Sequence, residues 1–187
     1  MSVLALHFSL GGSMKAKWIL AASLAFPTAA FAVDLSGAPG FQPEKYLGTW
    51  YQIESTNPFF QRACKCAKAE YDAIDARSIK VTNTCVKDNG SISTIEGKAL
   101  ILDESKPAQL QVKFFPISLG GVNYVVTEVG PNYEYAVVVS PGNSPIWILS
   151  RSKELPESVI AGIHLRLVQA GVRIGDLKST DPMQCEF

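Results

Sequence analysis

Leu110-Gln111-Val112-Lys113-Phe114 decides how the chain is read. Apolar and polar residues alternate with the two-residue period of extended backbone, so Leu110, Val112 and Phe114 share one face, and that face needs a core. Comparable runs stand on either side. Residues 50–53, 66–74, 79–85 and 91–102 precede it, the quoted stretch widens to 109–115, and 122–129, 135–139 and 146–150 follow. The separators are turn chemistry: Asp75-Ala76-Arg77, Lys87-Asp88-Asn89-Gly90, residues 103–107, Gly130-Pro131-Asn132 and Pro141-Gly142-Asn143-Ser144-Pro145. Links this short join antiparallel neighbours, because a parallel crossover needs a dozen or more residues. Eight such strands in series make an up-and-down meander, and closing it removes both exposed edges. The expected fold is all-β, an eight-stranded antiparallel up-and-down β-barrel.

Tyr124-Val125-Val126 and Ala136-Val137-Val138-Val139 are apolar on both faces, so an outer cover is required as well. One amphipathic helix supplies it. Pro156 suits a first helical turn, Val159, Ile160, Ile163, Leu167 and Val168 recur at helical spacing, and Gly171 stops the run. This C-terminal α-helix packs outside the barrel, with His164 facing solvent, and the tail to Phe187 returns along the wall.

Ahead of the strands, Lys15 and Lys17 precede the apolar run from Trp18 to Phe26, and Ala30-Phe31-Ala32 offers small residues at a cleavage point. That is the pattern of a secretory signal peptide, which assigns residues 1–32 to a removed leader and 33–187 to one domain. Pro27 interrupts the run, and no apolar stretch reaches the roughly 20 residues of a bilayer span, so no stable membrane anchor is expected. Secretion or a periplasmic location follows. Cys64, Cys66, Cys85 and Cys185 all lie in the exported part, where four cysteines imply two disulfides with three connectivities. The Cys64-Lys65-Cys66 spacing is tighter than zinc-ligand pairs adopt, and no metal site or cofactor is expected. Loss of Lys15 and Lys17 leaves 15 basic against 17 acidic side chains, a formal charge of −2 with no basic cluster. Nucleic acid is a poor partner for such a surface.

Tyr46-Leu47-Gly48-Thr49-Trp50-Tyr51-Gln52-Ile53 resembles the first signature of the lipocalin family, Gly-x-Trp at the start of the first strand, and Trp147-Ile148-Leu149-Ser150-Arg151 resembles its third. Val112-Lys113-Phe114-Phe115 and Gly120-Gly121-Val122-Asn123-Tyr124 are similar to the apolipoprotein D and bacterial lipocalin branch. Thr127-Glu128-Val129 stands where the family has Thr-Asp-Tyr, so the following loop is not taken from relatives. The resemblance implies structural roles for Gly48, which lets the chain turn into the first strand, for Trp50, which plugs the narrow end, and for Arg151, whose guanidinium lies over the indole. It also implies a Cys66–Cys185 disulfide, which leaves Cys64–Cys85; exchange of Cys64 and Cys66 stays open.

An eight-stranded barrel holds packed side chains or one small ligand. The resemblance implies carriage of a small hydrophobic molecule, with fatty acid or lysophospholipid the leading class. Wall positions are Leu110, Val112 and Phe114, then Tyr124 and Val126, then Tyr135 and Val137, with Phe59 and Phe60 shaping the mouth. No enzyme activity is expected: His164 on the outer helix has no nucleophile to serve, and oxidised cysteines offer no thiolate. Rival readings are a bilin, haem, sterol or retinoid-type pigment carrier, a lipocalin-fold isomerase using a free cysteine, and an interaction module acting through mouth loops or a homodimer face. Asn89-Gly90-Ser91 is a glycosylation acceptor in a eukaryotic host.

Overall fold

The computed structural model describes residues 34–114 and 120–187. The expected leader, and Phe115 at the expected end of the fifth strand, lie outside the described residues. A short helix α1 (Pro43–Tyr46) precedes β1 (Gly48–Ser55), β2 (Cys64–Asp75), β3 (Ser78–Lys87), β4 (Ile92–Ile101), β5 (Gln109–Phe114), β6 (Tyr124–Val129), β7 (Tyr135–Val139) and β8 (Ile146–Ser150). Then follow α2 (Glu157–Gln169) and a two-residue β9 (Lys178–Ser179).

Each of β2 to β7 pairs antiparallel with its successor, β8 pairs with β1, and β1 pairs with β2 from Gly48↔Tyr71 to Tyr51↔Lys68, which closes the barrel. Beyond Tyr51 that contact ends, and β9 takes the vacated edge at Glu54↔Ser179 and Ser55↔Lys178. This ninth strand is too short to carry a period of its own. The seam between β5 and β6 is narrow, with two paired positions, Gln109↔Val125 and Leu110↔Tyr124. Asn123 extends it with its side chain: Oδ1 accepts from Val112 N at 2.8 Å and Nδ2 donates to Val112 O at 2.9 Å. The amide thus copies the donor and acceptor of a strand residue. Gly97 faces Phe114 across β4 and β5, where a Cβ would stand 2.5 Å from the ring, so only glycine leaves room for that aromatic.

Two apolar clusters divide the molecule. One fills the barrel around Trp50, Tyr46, Tyr71, Val81, Leu110, Val126 and Val138. The other lies between the barrel wall and α2, where Ile163 and Leu167 meet Ile53, Val137, Val139, Ile146 and Ile148. Pro156 occupies the N-cap of α2 rather than its first turn, the stripe of Val159, Ile160, Ile163 and Leu167 faces the wall, and Val168 is exposed. At the other end Gly171 adopts φ +76° while its N–H bonds Val168 O and Val172 N–H bonds Leu167 O, a glycine stop that folds the buried Val172 back onto the helix.

Tyr135 and Val137 require correction: both belong to the outer cluster under α2, and Ala136 and Val138 take the inner face of β7. The cross-strand partners explain it. Val126 faces Val138, so both point inward, and a register shift between Val126 and Glu128 sets Glu128 opposite Val137 on the outside. There Glu128 accepts from Tyr135 Oη at 2.7 Å and from the Arg166 guanidinium at 2.6 and 3.0 Å. His164 is also not simply solvated. Its Nε2 lies 2.6 Å from Glu54 Oε2, and Ser179 Oγ donates to the other oxygen of this buried carboxylate at 3.1 Å, so α2, β1 and β9 share one polar clasp.

Candidate binding site

The floor of the barrel is built first. Gly48 takes φ +90°, a left-handed conformation that turns the chain from α1 into β1 and that side chains resist. The following Trp50 is fully buried, its Nε1 donating to Tyr46 O at 2.8 Å. Arg151, at the end of β8, lies with Cζ 3.8 Å from the indole centroid, while Nη1 donates to Thr49 O at 2.9 Å and Nη2 to Lys45 O at 2.7 Å. Burial draws the guanidinium somewhat below its ordinary pKa. One cation therefore pins α1, β1 and β8 together beneath the plug.

Among the described residues, the β1–β2, β3–β4 and β7–β8 connections lie at the opposite end. Phe59 and Phe60 sit there on a 3-10 turn (Phe59–Gln61), edge to face at 5.4 Å, and are 73% and 59% exposed. Neighbouring Gln61 accepts from Trp147 Nε1 at 3.0 Å, which ties the rim loop to a side chain of the barrel cluster.

Of the expected wall residues, Leu110, Tyr124 and Val126 are buried in the barrel cluster and Val112 and Phe114 pack against it. Phe59 and Phe60 stand at the rim, and Tyr135 and Val137 lie outside the wall. The structure adds Phe41, Tyr46, Tyr71, Ala136, Val138 and Leu149 to the interior. Ala67-Lys68-Ala69-Glu70-Tyr71 alternates at the strand period, a signal that would have placed Tyr71 inside. The others leave no such trace.

Three interior residues, Tyr46, Tyr71 and Tyr124, bring their hydroxyls together within the cluster. Tyr124 Oη lies 2.8 Å from Tyr46 Oη and 2.8 Å from Tyr71 Oη. Burial raises all three phenols, Tyr46 and Tyr124 well above their ordinary value and Tyr71 to about 12, so they stay neutral across the physiological range. The walls are held by two disulfides. Cys64 is bonded to Cys85 within the β2–β3 hairpin and Cys66 to Cys185 in the tail, with a register shift between Cys64 and Cys66 that separates their partners.

Comparison with known proteins matches residues 41–182 to the lipocalin-like domain. Lipocalin R877 of Acanthamoeba polyphaga mimivirus is 36% identical over 151 residues, covering 77% of this chain and 86% of the viral protein. Apolipoprotein D of Mus musculus is 30% identical, covering 78% and 79%, and the outer membrane lipoprotein Blc of Escherichia coli is 31% identical, covering 73% and 82%. Among solved structures, lobster apocrustacyanin A1 superposes with a TM-score of 0.63 at 21% identity over 81% of this chain and 87% of its own. Insecticyanin of the tobacco hornworm Manduca sexta gives 0.63 at 21% identity over 81% and 86%. With a barrel closed between β1 and β2, a tryptophan floor clamped by arginine and relatives of this kind, the chain belongs to the lipocalin family.

Proposed function

We propose that this lipocalin binds and carries one small hydrophobic molecule outside the cytoplasm, with a fatty acid or lysophospholipid as the leading class. The observation that carries the reading is an apolar barrel interior closed at one end by Trp50 and Arg151, with the exposed Phe59 and Phe60 on the β1–β2 connection at the other. Burial of a twelve-carbon chain offers roughly 10 kcal/mol at about 0.8 kcal/mol per methylene. Association costs remove part of this and leave enough for micromolar binding. The chain would lie along Val126, Leu110 and Phe114, and the polar head would remain at the rim, where Arg62 and Lys65 are exposed beside the phenylalanines.

Carriage rather than catalysis is favoured because all four cysteines are in disulfides and His164 is engaged by Glu54 on the outer wall. Among the described residues no cluster of His, Cys, Asp or Glu is arranged to hold a metal ion. Export by a cleaved leader accords with the two disulfides, which persist in oxidising compartments. No described helix is long and apolar enough to cross a membrane. Native mass spectrometry of protein purified without delipidation tests the reading. An adduct with the mass of a fatty acid or lysophospholipid is expected; protein that is ligand-free and takes up neither class on incubation would refute it.

A further inference from the structure

Phe59 is the most exposed large apolar side chain among the described residues, and Phe60 stands edge to face beside it. Water disfavours that display, and a loose loop would escape it by folding the rings inward. This loop is braced instead. Thr56 N donates to Ile146 O and Thr56 Oγ1 accepts from Ile146 N, both at 3.1 Å, while Asn57 N donates to Ser55 Oγ at 3.1 Å. On the other flank Gln61 N donates to Pro58 O at 2.8 Å, Gln61 Oε1 accepts from Trp147, and Cys64 is bonded to Cys85. The turn is thus held from both sides with its two rings in water. Ile92, at the head of β4, adds a third exposed apolar side chain at the same end.

Charge identifies the kind of surface that fits these rings. Residues 56–66 carry Arg62 and Lys65, both exposed, and no acidic side chain. At the same end Lys87 and Asp88 offset one another, and residues 140–145 between β7 and β8 are uncharged. Apolar rings flanked by cations suit an anionic lipid surface, where the rings enter the acyl boundary and the cations stay among the headgroups. A second copy of this chain would bring like charges together, and an apolar groove on another protein would leave the cations unused.

We propose that the Phe59-Phe60 turn is a docking tip for anionic membrane surfaces, with Arg62 and Lys65 at headgroup level. The contact is peripheral and reversible, since two rings and two cations offer far less than a spanning helix. It sets the end of the barrel opposite the Trp50 plug against the bilayer. Docking needs no guest, so it stands apart from the carrier reading; what it adds is a lipid surface as the partner.

Sedimentation with vesicles of phosphatidylcholine alone, and of phosphatidylcholine mixed with phosphatidylglycerol, tests the assignment. The protein is expected to pellet with the mixed vesicles, to be released by raised salt, and to bind phosphatidylcholine about fivefold or more weakly. Phe59→Ser/Phe60→Ser and Arg62→Gln/Lys65→Gln should each lower affinity for the mixed vesicles by about tenfold. All four side chains are exposed, so both variants should unfold in urea as the parent does. Phe59→Trp supplies a measurement that rests on no loss of binding: its emission should shift to the blue on the mixed vesicles and be quenched by brominated acyl chains. No binding to the mixed vesicles, equal retention on both vesicle types, undiminished binding of Phe59→Ser/Phe60→Ser, or an unshifted Phe59→Trp emission overturns the docking tip. Dimerisation of the parent that Phe59→Ser/Phe60→Ser abolishes also overturns it and assigns the rings to a second copy. Each of these results leaves guest binding in the barrel to its own test by native mass spectrometry.

Discussion

Arg151 Cζ rests 3.8 Å from the centroid of the Trp50 indole, and the same guanidinium donates to the carbonyl oxygens of Thr49 and Lys45. A single side chain thus serves as lid on the plug and as cap on α1. Arg151→Ala removes the cation–π contact and two charge-assisted hydrogen bonds, and we expect a loss of roughly 2–4 kcal/mol in urea unfolding. Arg151→Lys should recover less than half of it, because an ammonium cannot span both carbonyls while lying flat on the ring.

The two disulfides enclose loops of very different size. Cys66–Cys185 spans 119 residues and Cys64–Cys85 spans 21. Loop-closure entropy then assigns about 5 kcal/mol to the first and about 3 to the second. Unfolding of the Cys66→Ala/Cys185→Ala and Cys64→Ala/Cys85→Ala double variants should show that order; the reverse order would mean that the tail contributes little to holding the wall.

Alkaline pH acts through the interior tyrosines. Burial raises their folded-state pKa above the unfolded value near 10, so their contribution is complete below pH 10 and is lost as pH rises toward 12. Tyr71, pushed up to about 12, accounts for on the order of 2–3 kcal/mol over that window. Urea unfolding between pH 8 and 12 should show the decline in the parent protein and a shallower one in the Tyr46→Phe/Tyr71→Phe/Tyr124→Phe variant. Parallel curves would contradict the assignment.

Val137 and Val126 are both fully buried but on opposite sides of the wall. Val137→Ala opens a cavity beneath α2 and should reduce stability by about 1–2 kcal/mol with dodecanoic acid affinity unchanged. Val126→Phe adds bulk inside the barrel and should weaken that affinity by about tenfold or more. Stability and affinity measured on both variants check the placement; a ligand effect confined to Val137→Ala would reverse it.

What the sequence reveals follows from how local each signal is. The strand of Leu110, Val112 and Phe114 announces its inner face by alternation, and the residues that seal the floor stand in short motifs around Trp50 and Arg151. Ala136-Val137-Val138-Val139 gives no such information, since a strand apolar on both faces has no period to read, and its orientation is set by the register shift in β6. The hydroxyl triad is equally silent, because Tyr46, Tyr71 and Tyr124 come from three elements that meet only when the barrel closes. His164 is read as a solvated helix residue for the same reason: its partner Glu54 lies 110 residues away in β1.

Calorimetric titration of delipidated protein with dodecanoic acid at several temperatures addresses the carrier function most directly. One molecule bound per chain, with a negative heat-capacity change from burial of the alkyl chain, is the predicted result. Absence of saturable binding, or a heat-capacity change near zero, would contradict it.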